Sequence, residues 1–179
     1  MSFLLVLAMV IGLMPGMSMT AKAQTTLSGN GTESDPYRIT SADDWNILAT
    51  SVNGGNDYSG KYLKLMDDIT VSQMIGINNH ASSNNPQTNQ KSFSGTFDGD
   101  GHTLNLNIKD KDTHGAAPFS ATKGATIKNL NVTGSVVGGI YSAGLVGVPN
   151  GTLTVENCTV SAAVSGDKYH GGFVAMSFS

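Results

Sequence analysis

The chain is short of the groups that usually carry cross-linking or chemistry. Its 179 residues hold one cysteine, one tryptophan, five prolines and only 13% charged side chains. A lone Cys158 excludes an intramolecular disulfide, so packing alone must stabilise the fold in an oxidising compartment. Ten basic residues against thirteen acidic, with no Lys/Arg cluster, argue against nucleic acid and against an anionic membrane surface. The chain has no Gly-x-Ser-x-Gly elbow, Gly-Lys-Ser/Thr phosphate loop, dinucleotide fingerprint or His-Glu-x-x-His zinc motif. Its four histidines, His80, His102, His114 and His170, are scattered and read as solvated loop residues.

Long apolar runs are missing too, with one exception. Phe3 to Met14 is nearly unbroken and is followed by Pro15 and by the small-x-small signal Ala21-Lys22-Ala23, which together read as a secretory signal peptide over 1–23. The run is shorter than the ~20 residues of a membrane span, so the mature chain is expected to have none. Met1-Ser2 supplies no basic residue ahead of the run, which points to a true start further upstream.

What the chain does have is glycine, 22 residues of it, and an internal echo. The segment starting at Ala125, ATIKNLNVTGSVVGGIYSAGLVG, returns without gaps at Leu153 as LTVENCTVSAAVSGDKYHGGFVA, an offset of 28 residues. Thr126 meets Thr154, Asn129 meets Asn157, Val132 meets Val160, Tyr141 meets Tyr169 and Gly144 meets Gly172. Repetition at this period signals stacked units, each covering its neighbour's apolar face. Cys158 replaces Leu130 in the echo and is read as a small buried hydrophobe. An earlier copy is read in FSGTFDGDGHTLNLNI, with Leu106-Asn107-Ile108 matched to Leu130-Asn131-Val132. About three rungs are therefore visible. Period-two patterning slips near Asn129, where a left-handed asparagine would shift the phase and stack on Asn157. Parallel stacking with asparagine at corners and glycine at turns indicates an all-β, right-handed parallel β-helix, the hand following the preference of parallel crossovers.

Ahead of the array, residues 24–30 form a polar linker and 31–77 an N-terminal cap with the first coil. Pro36 confines the piece around Tyr37 and Ile39 to an edge. Ser41 can cap a helix over 42–53, with Asp43 and Asp44 in its first turn, Trp45, Leu48, Ala49 and Val52 at helical spacing, and Gly54-Gly55 to stop it. Such a helix would cover the first rung. Gly60 to Ile77 alternates as strands of the first coil, 78–92 is a polar surface loop, and 93–179 carries the rungs. The last of these ends in GGFVAMSFS, leaving Phe173, Val174 and Phe178 at an open end. Truncation, self-association or a covering partner is expected there.

Taken together, GTESDPYRITSADDWNILATSVNGGNDYSGKYLKLMDDI, FSGTFDGDGHTLNLNI, ATIKNLNVTG and AGLVG resemble the GLUG-motif proteins of bacteria, secreted or surface-anchored β-helix proteins. Gly144-Leu145-Val146-Gly147 matches the motif itself, while Gly172-Phe173-Val174-Ala175 departs at its final glycine. The resemblance covers about Gly31 to Ala175. It implies an adhesin-like or scaffold role at the cell surface, or the non-catalytic part of a large surface peptidase, with structural glycines and no catalytic residues.

Candidate chemistry is sparse. Asp98 and Asp100, in Asp98-Gly99-Asp100-Gly101-His102, could hold Ca²⁺ through oxygen ligands, but the distal glutamate of an EF-hand loop is missing and Asp-Gly is a common turn. Asp67 and Asp68 could be imagined with them as an acid/base pair of a polysaccharide lyase or glycoside hydrolase. Adjacent strand residues face opposite ways, however, and no lysine clustering is evident to serve a lyase. Tyr141 and Tyr169 would stack as an aromatic ladder, packing on sugar rings if outward and belonging to the core if inward. The Asn-x-Thr sequons at Asn30, Asn131, Asn150 and Asn157 matter only in a glycosylating host. The sequence thus points to a secreted or cell-surface, adhesin-like binding module for glycan or protein, with no catalytic residues, no cofactor and no nucleic-acid partner. A carbohydrate-active β-helix enzyme is the alternative.

Overall fold

The computed structural model describes residues 26–78 and 90–176. The leader expected over 1–23, the first part of the 24–30 linker, most of the 78–92 loop and Phe178 lie outside the described residues. Within them the chain is a parallel β-helix of about four coils capped at one end by a helix. The first coil, read from the sequence as part of the cap, joins the three rungs visible there.

The chain enters through β1 (Tyr37–Ile39) and α1 (Ala42–Asn53), then runs through β2 (Tyr62–Leu65) and β3 (Ile69–Val71) of coil one. Coil two holds β4 (Thr96–Asp98) and β5 (Thr103–Asp110). Coil three holds β6 (Phe119–Lys128), β7 (Asn131–Gly138) and β8 (Tyr141–Ala143). Coil four holds β9 (Val146–Glu156), β10 (Thr159–Val160), β11 (Ala163–Ser165) and β12 (Tyr169–Gly171). Three parallel sheets wrap the stack: β1-β2-β4-β6-β9, then β3-β5-β7 with β10 and β11 both on β7, and β8-β12. The residues described from the linker are not free: Ser28 bridges Arg38 antiparallel, and Leu27 packs on the core.

The helix forms where its caps and apolar face place it. The Ser41 hydroxyl accepts the Asp44 N–H at 3.2 Å, satisfying an orphan donor of the first turn. Asp44 reaches back to accept the Thr40 N–H and hydroxyl, at 2.9 and 2.6 Å. Trp45, Leu48, Ala49 and Val52 are all buried, and Trp45 plugs the mouth of the helix. Its ring meets Phe97 edge-on at 5.9 Å and Phe119 at 5.6 Å, while its indole N–H donates to the Gln73 carbonyl at 2.9 Å. A buried indole thus keeps both its apolar contacts and its hydrogen bond.

Along the stack, one-in, one-out alternation delivers a continuous core: Leu63, Phe97 and Ile127 lie in register on one sheet, and Ile69, Leu104 and Val132 on the next. The 28-residue echo is the real register of coils three and four, with Thr126 opposite Thr154 and Val132 opposite Val160. The match of Leu106 to Leu130 is corrected: Leu104 pairs with Val132 and Leu106 with Gly134. The corner of coil two, Gly99 to His102, is longer than that of coil three, so counting back through it by pattern alone loses the frame. Burial also falls along the stack. Leu130 is fully buried, but Val155, Cys158 and Val160 of coil four are only half-buried, because no layer covers them among the described residues.

Candidate functional site

One long corner of the helix gathers the acidic candidates. Asn129 and Asn157 both adopt the left-handed conformation, φ 52° and 49°, as the phase slip in the sequence requires. The Asn129 amide donates to Asp98 Oδ1 at 2.9 Å, and Asp98 Oδ1 also accepts the Asp100 N–H at 2.9 Å. Lys128 Nζ lies 3.4 Å from Asp98 Oδ2, and Lys64 Nζ lies 3.0 Å from Asp100 Oδ2. The expectation of unclustered lysines is therefore corrected: parallel stacking brings Lys64 and Lys128 onto the same face as these aspartates, from coils far apart in sequence. Partial burial works to raise the Asp98 pKa, but the Asn129 and Asp100 hydrogen bonds and the Lys128 charge prevail and hold it below its ordinary value.

Asp67 and Asp68 are engaged elsewhere. Asp68 Oδ1 accepts the Thr103 N–H at 2.7 Å and lies 3.4 Å from His102 Nδ1, while Asp67 Oδ1 accepts the Asp68 N–H. Asp68 thereby ties coil one to coil two, while Asp67 bonds only within its own turn. Among the described residues no three His, Cys, Asp or Glu side chains converge as a metal-binding group.

The tyrosine ladder is present on the surface, with Tyr141 half-buried and Tyr169 exposed. Tyr141 and Tyr169 stack at 5.4 Å with rings 15° from parallel, and Tyr169 is 58% exposed. His114, from coil two, meets the edge of Tyr141 at 6.1 Å and 86°, extending the row by one coil. The sequence marked His114 only as a loop residue, since its own copy of the repeat carries no tyrosine.

Gly144-Leu145-Val146-Gly147 is a corner of the stack. Leu145 and Val146 are buried, the Gly144 N–H donates to the Gly172 carbonyl at 3.0 Å, and Val146 donates to Phe173 at 2.8 Å. A Cβ on Gly144 would stand 2.5 Å from the Gly172 oxygen and 2.4 Å from Val160 Cγ1, so only glycine permits this close approach of coils. Despite its altered sequence, the second copy occupies the matching place, with Val174 bridging Val146 in parallel.

Cys158 differs from expectation in being half-buried at the last coil. Burial pushes its thiol pKa up, and backbone hydrogen bonding at Leu130 and Glu156 only partly offsets this, so the group stays a protonated, weakly nucleophilic thiol.

Sequence reading missed a groove of 420 Å³ lined by residues of three coils and the helix, among them Asn53, Asn78, Lys109, Asp110, Thr113 and Ser120. Asn78, assigned to the surface loop, is only 5% exposed. No local motif marks the groove, because its walls meet only once the coils stack. A second open groove, of 570 Å³, runs between α1 and the entering segment beside Tyr37 and Tyr58.

No helix among the described residues is long and apolar enough to cross a membrane. No protein-family model and no solved structure matches the chain. Over 158 residues, 85% of its length, the chain is 33% identical to Halomucin of Haloquadratum walsbyi, of which the match spans 2%, so the similarity relates this β-helix to one small portion of a far longer protein.

Proposed function

We propose that the chain is a secreted or cell-surface binding and structural module of the GLUG-motif type. It presents the long face of a β-helix to glycan or protein and performs no catalysis. The observation that carries this reading is the stack of half-buried Tyr141 on Tyr169, which leaves the 58% exposed Tyr169 ring open to a ligand. Exposed aromatic rows are costly to leave in water and suit apolar sugar faces or partner side chains. The β-helix supports a scaffold role, since stacked coils give extended surfaces. Similarity to a protein whose name contains "mucin" supports a place at the surface, although this chain corresponds to only 2% of it. The acidic corner supports structure over hydrolysis, because Asp98 and Asp100 are matched by Lys128 and Lys64.

The test displays the chain on beads and measures retention on immobilised glycans and proteins. The Tyr141→Ala/Tyr169→Ala double variant should lose retention while keeping its far-ultraviolet circular dichroism. Equal retention of parent and variant, or no retention of either, would sink the reading.

A further inference from the structure

The groove beside the aromatic row holds two buried polar groups without protein partners. Asn78 is 5% exposed, and its Nδ2 makes no hydrogen bond; the Thr113 hydroxyl is likewise buried and unpaired. Both line the same 420 Å³ space. Buried donors in folded proteins are nearly always satisfied, so two orphans on residues that line one groove call for an occupant. The surrounding groups are already committed. Asn53 donates to the Met74 carbonyl at 3.2 Å and accepts the Gly76 N–H at 2.8 Å, which fixes one wall. Asp110 Oδ1 accepts the N–H groups of Asp112 and Thr113, each at 3.0 Å, which fixes the turn that presents Thr113.

Ligand class follows from the lining. Lys109 and Asp110 balance one another, so the lining carries no net charge to hold an ion of either sign and suits a neutral molecule. An amide donor and a hydroxyl that donates and accepts suit a group rich in hydroxyls. The volume lies within the roughly 300–1,000 Å³ of small-molecule sites. The groove is also joined to the aromatic row. Gly115, next to His114, has φ 116°, and a Cβ built on it would lie 3.2 Å from Asn78 Cβ and 3.1 Å from Ser120 Oγ. His114 then leads to Tyr141 and Tyr169.

We infer that this groove is a subsite for one residue of a neutral polysaccharide, with the neighbouring residues of the same polymer lying over the His114–Tyr141–Tyr169 row. The inference rests on the binding-module reading above and names its ligand class.

The experiment titrates the full chain with cellohexaose, laminarihexaose, mannohexaose and N-acetylchitohexaose, following the Asn78 side-chain amide by NMR. At least one sugar should shift that resonance saturably. Asn78→Ala should weaken binding tenfold or more, as should Thr113→Val, while Thr113→Ser, which keeps the hydroxyl, should bind as the parent does and controls for folding. No saturable shift with any of the four overturns the subsite, as does an Asn78 amide that exchanges only with water. Binding that needs the tyrosines but ignores Asn78 and Thr113 overturns the subsite alone and leaves the module reading standing. Loss of bead retention in the Tyr141→Ala/Tyr169→Ala variant, with no soluble sugar bound, has the same meaning.

Discussion

The side-chain amide of Asn157 donates to the Asn129 side-chain oxygen at 3.3 Å, one coil below, and both residues hold the same left-handed turn. The Asn129 amide in turn reaches Asp98 at 2.9 Å, so one file of side chains runs through three coils. Backbone strain and cross-coil bonding are thereby placed on the same residues. An asparagine pays little for left-handed φ and returns a hydrogen bond to the next corner.

Asn129→Ala should therefore destabilise the chain by about 1–3 kcal/mol, combining a strained turn with the loss of one hydrogen bond to Asp98 and one to Asn157. Asn129→Gly relieves the strain but not the lost bond and should fall between parent and alanine. Urea midpoints of the three proteins, at unchanged m-value, decide this; an alanine variant as stable as the parent would show that the ladder contributes nothing.

Trp45 is the sole tryptophan, fully buried against Phe97 and Phe119. Trp45→Ala should cost about 3–5 kcal/mol, a large share of the 5–15 typical of a domain. Trp45→Phe, which loses the bond to the Gln73 carbonyl but fills most of the space, should cost less. In the parent, tryptophan emission should be blue-shifted and move red in one step with the loss of β-sheet ellipticity.

Acid should weaken the long corner. The Asp98 carboxyl is held below its ordinary value of 3.8, so its folded form binds its proton less readily than the unfolded form. The stabilisation is complete above that ordinary value and is lost as pH falls through the folded value. Thermal midpoints measured from pH 6 to pH 2 should drop at the acid end by more for the parent than for Asp98→Asn. Parallel curves would remove Asp98 from the account.

Calcium should matter little. The Asp98 and Asp100 oxygens already face Lys128 and Lys64, and a divalent ion would have to displace both. EDTA and millimolar Ca²⁺ should leave the melting temperature unchanged, and a rise with Ca²⁺ that Asp98→Asn abolishes would contradict this.

Cys158 should react slowly with a disulfide reagent at pH 7, since its thiol is protonated there, and faster as pH rises. A rate at pH 7 equal to that of free cysteine would show that the last coil opens readily.

The helix was legible to the residue, because Ser41, the apolar spacing from Trp45 to Val52 and Gly54 are all local signals. The echo of coils three and four was legible because its copies have equal length. Coil two was misaligned because its corner carries extra residues, and the lysine–aspartate pairing was missed because stacking, not spacing, sets it. The face taken by Tyr141 could not be chosen from alternation near so many glycines. Asn78 looked like loop because its burial depends on Gly115 and Ser120, which arrive from later coils.

The helical plug also gives the molecule a direction in time. Its cap and first coil are synthesised before the coils that stack on them, and each finished coil offers an ordered edge on which the next can be laid. Assembly can then proceed by templated growth away from Trp45, so that a fault in the plug would be copied forward into each later coil.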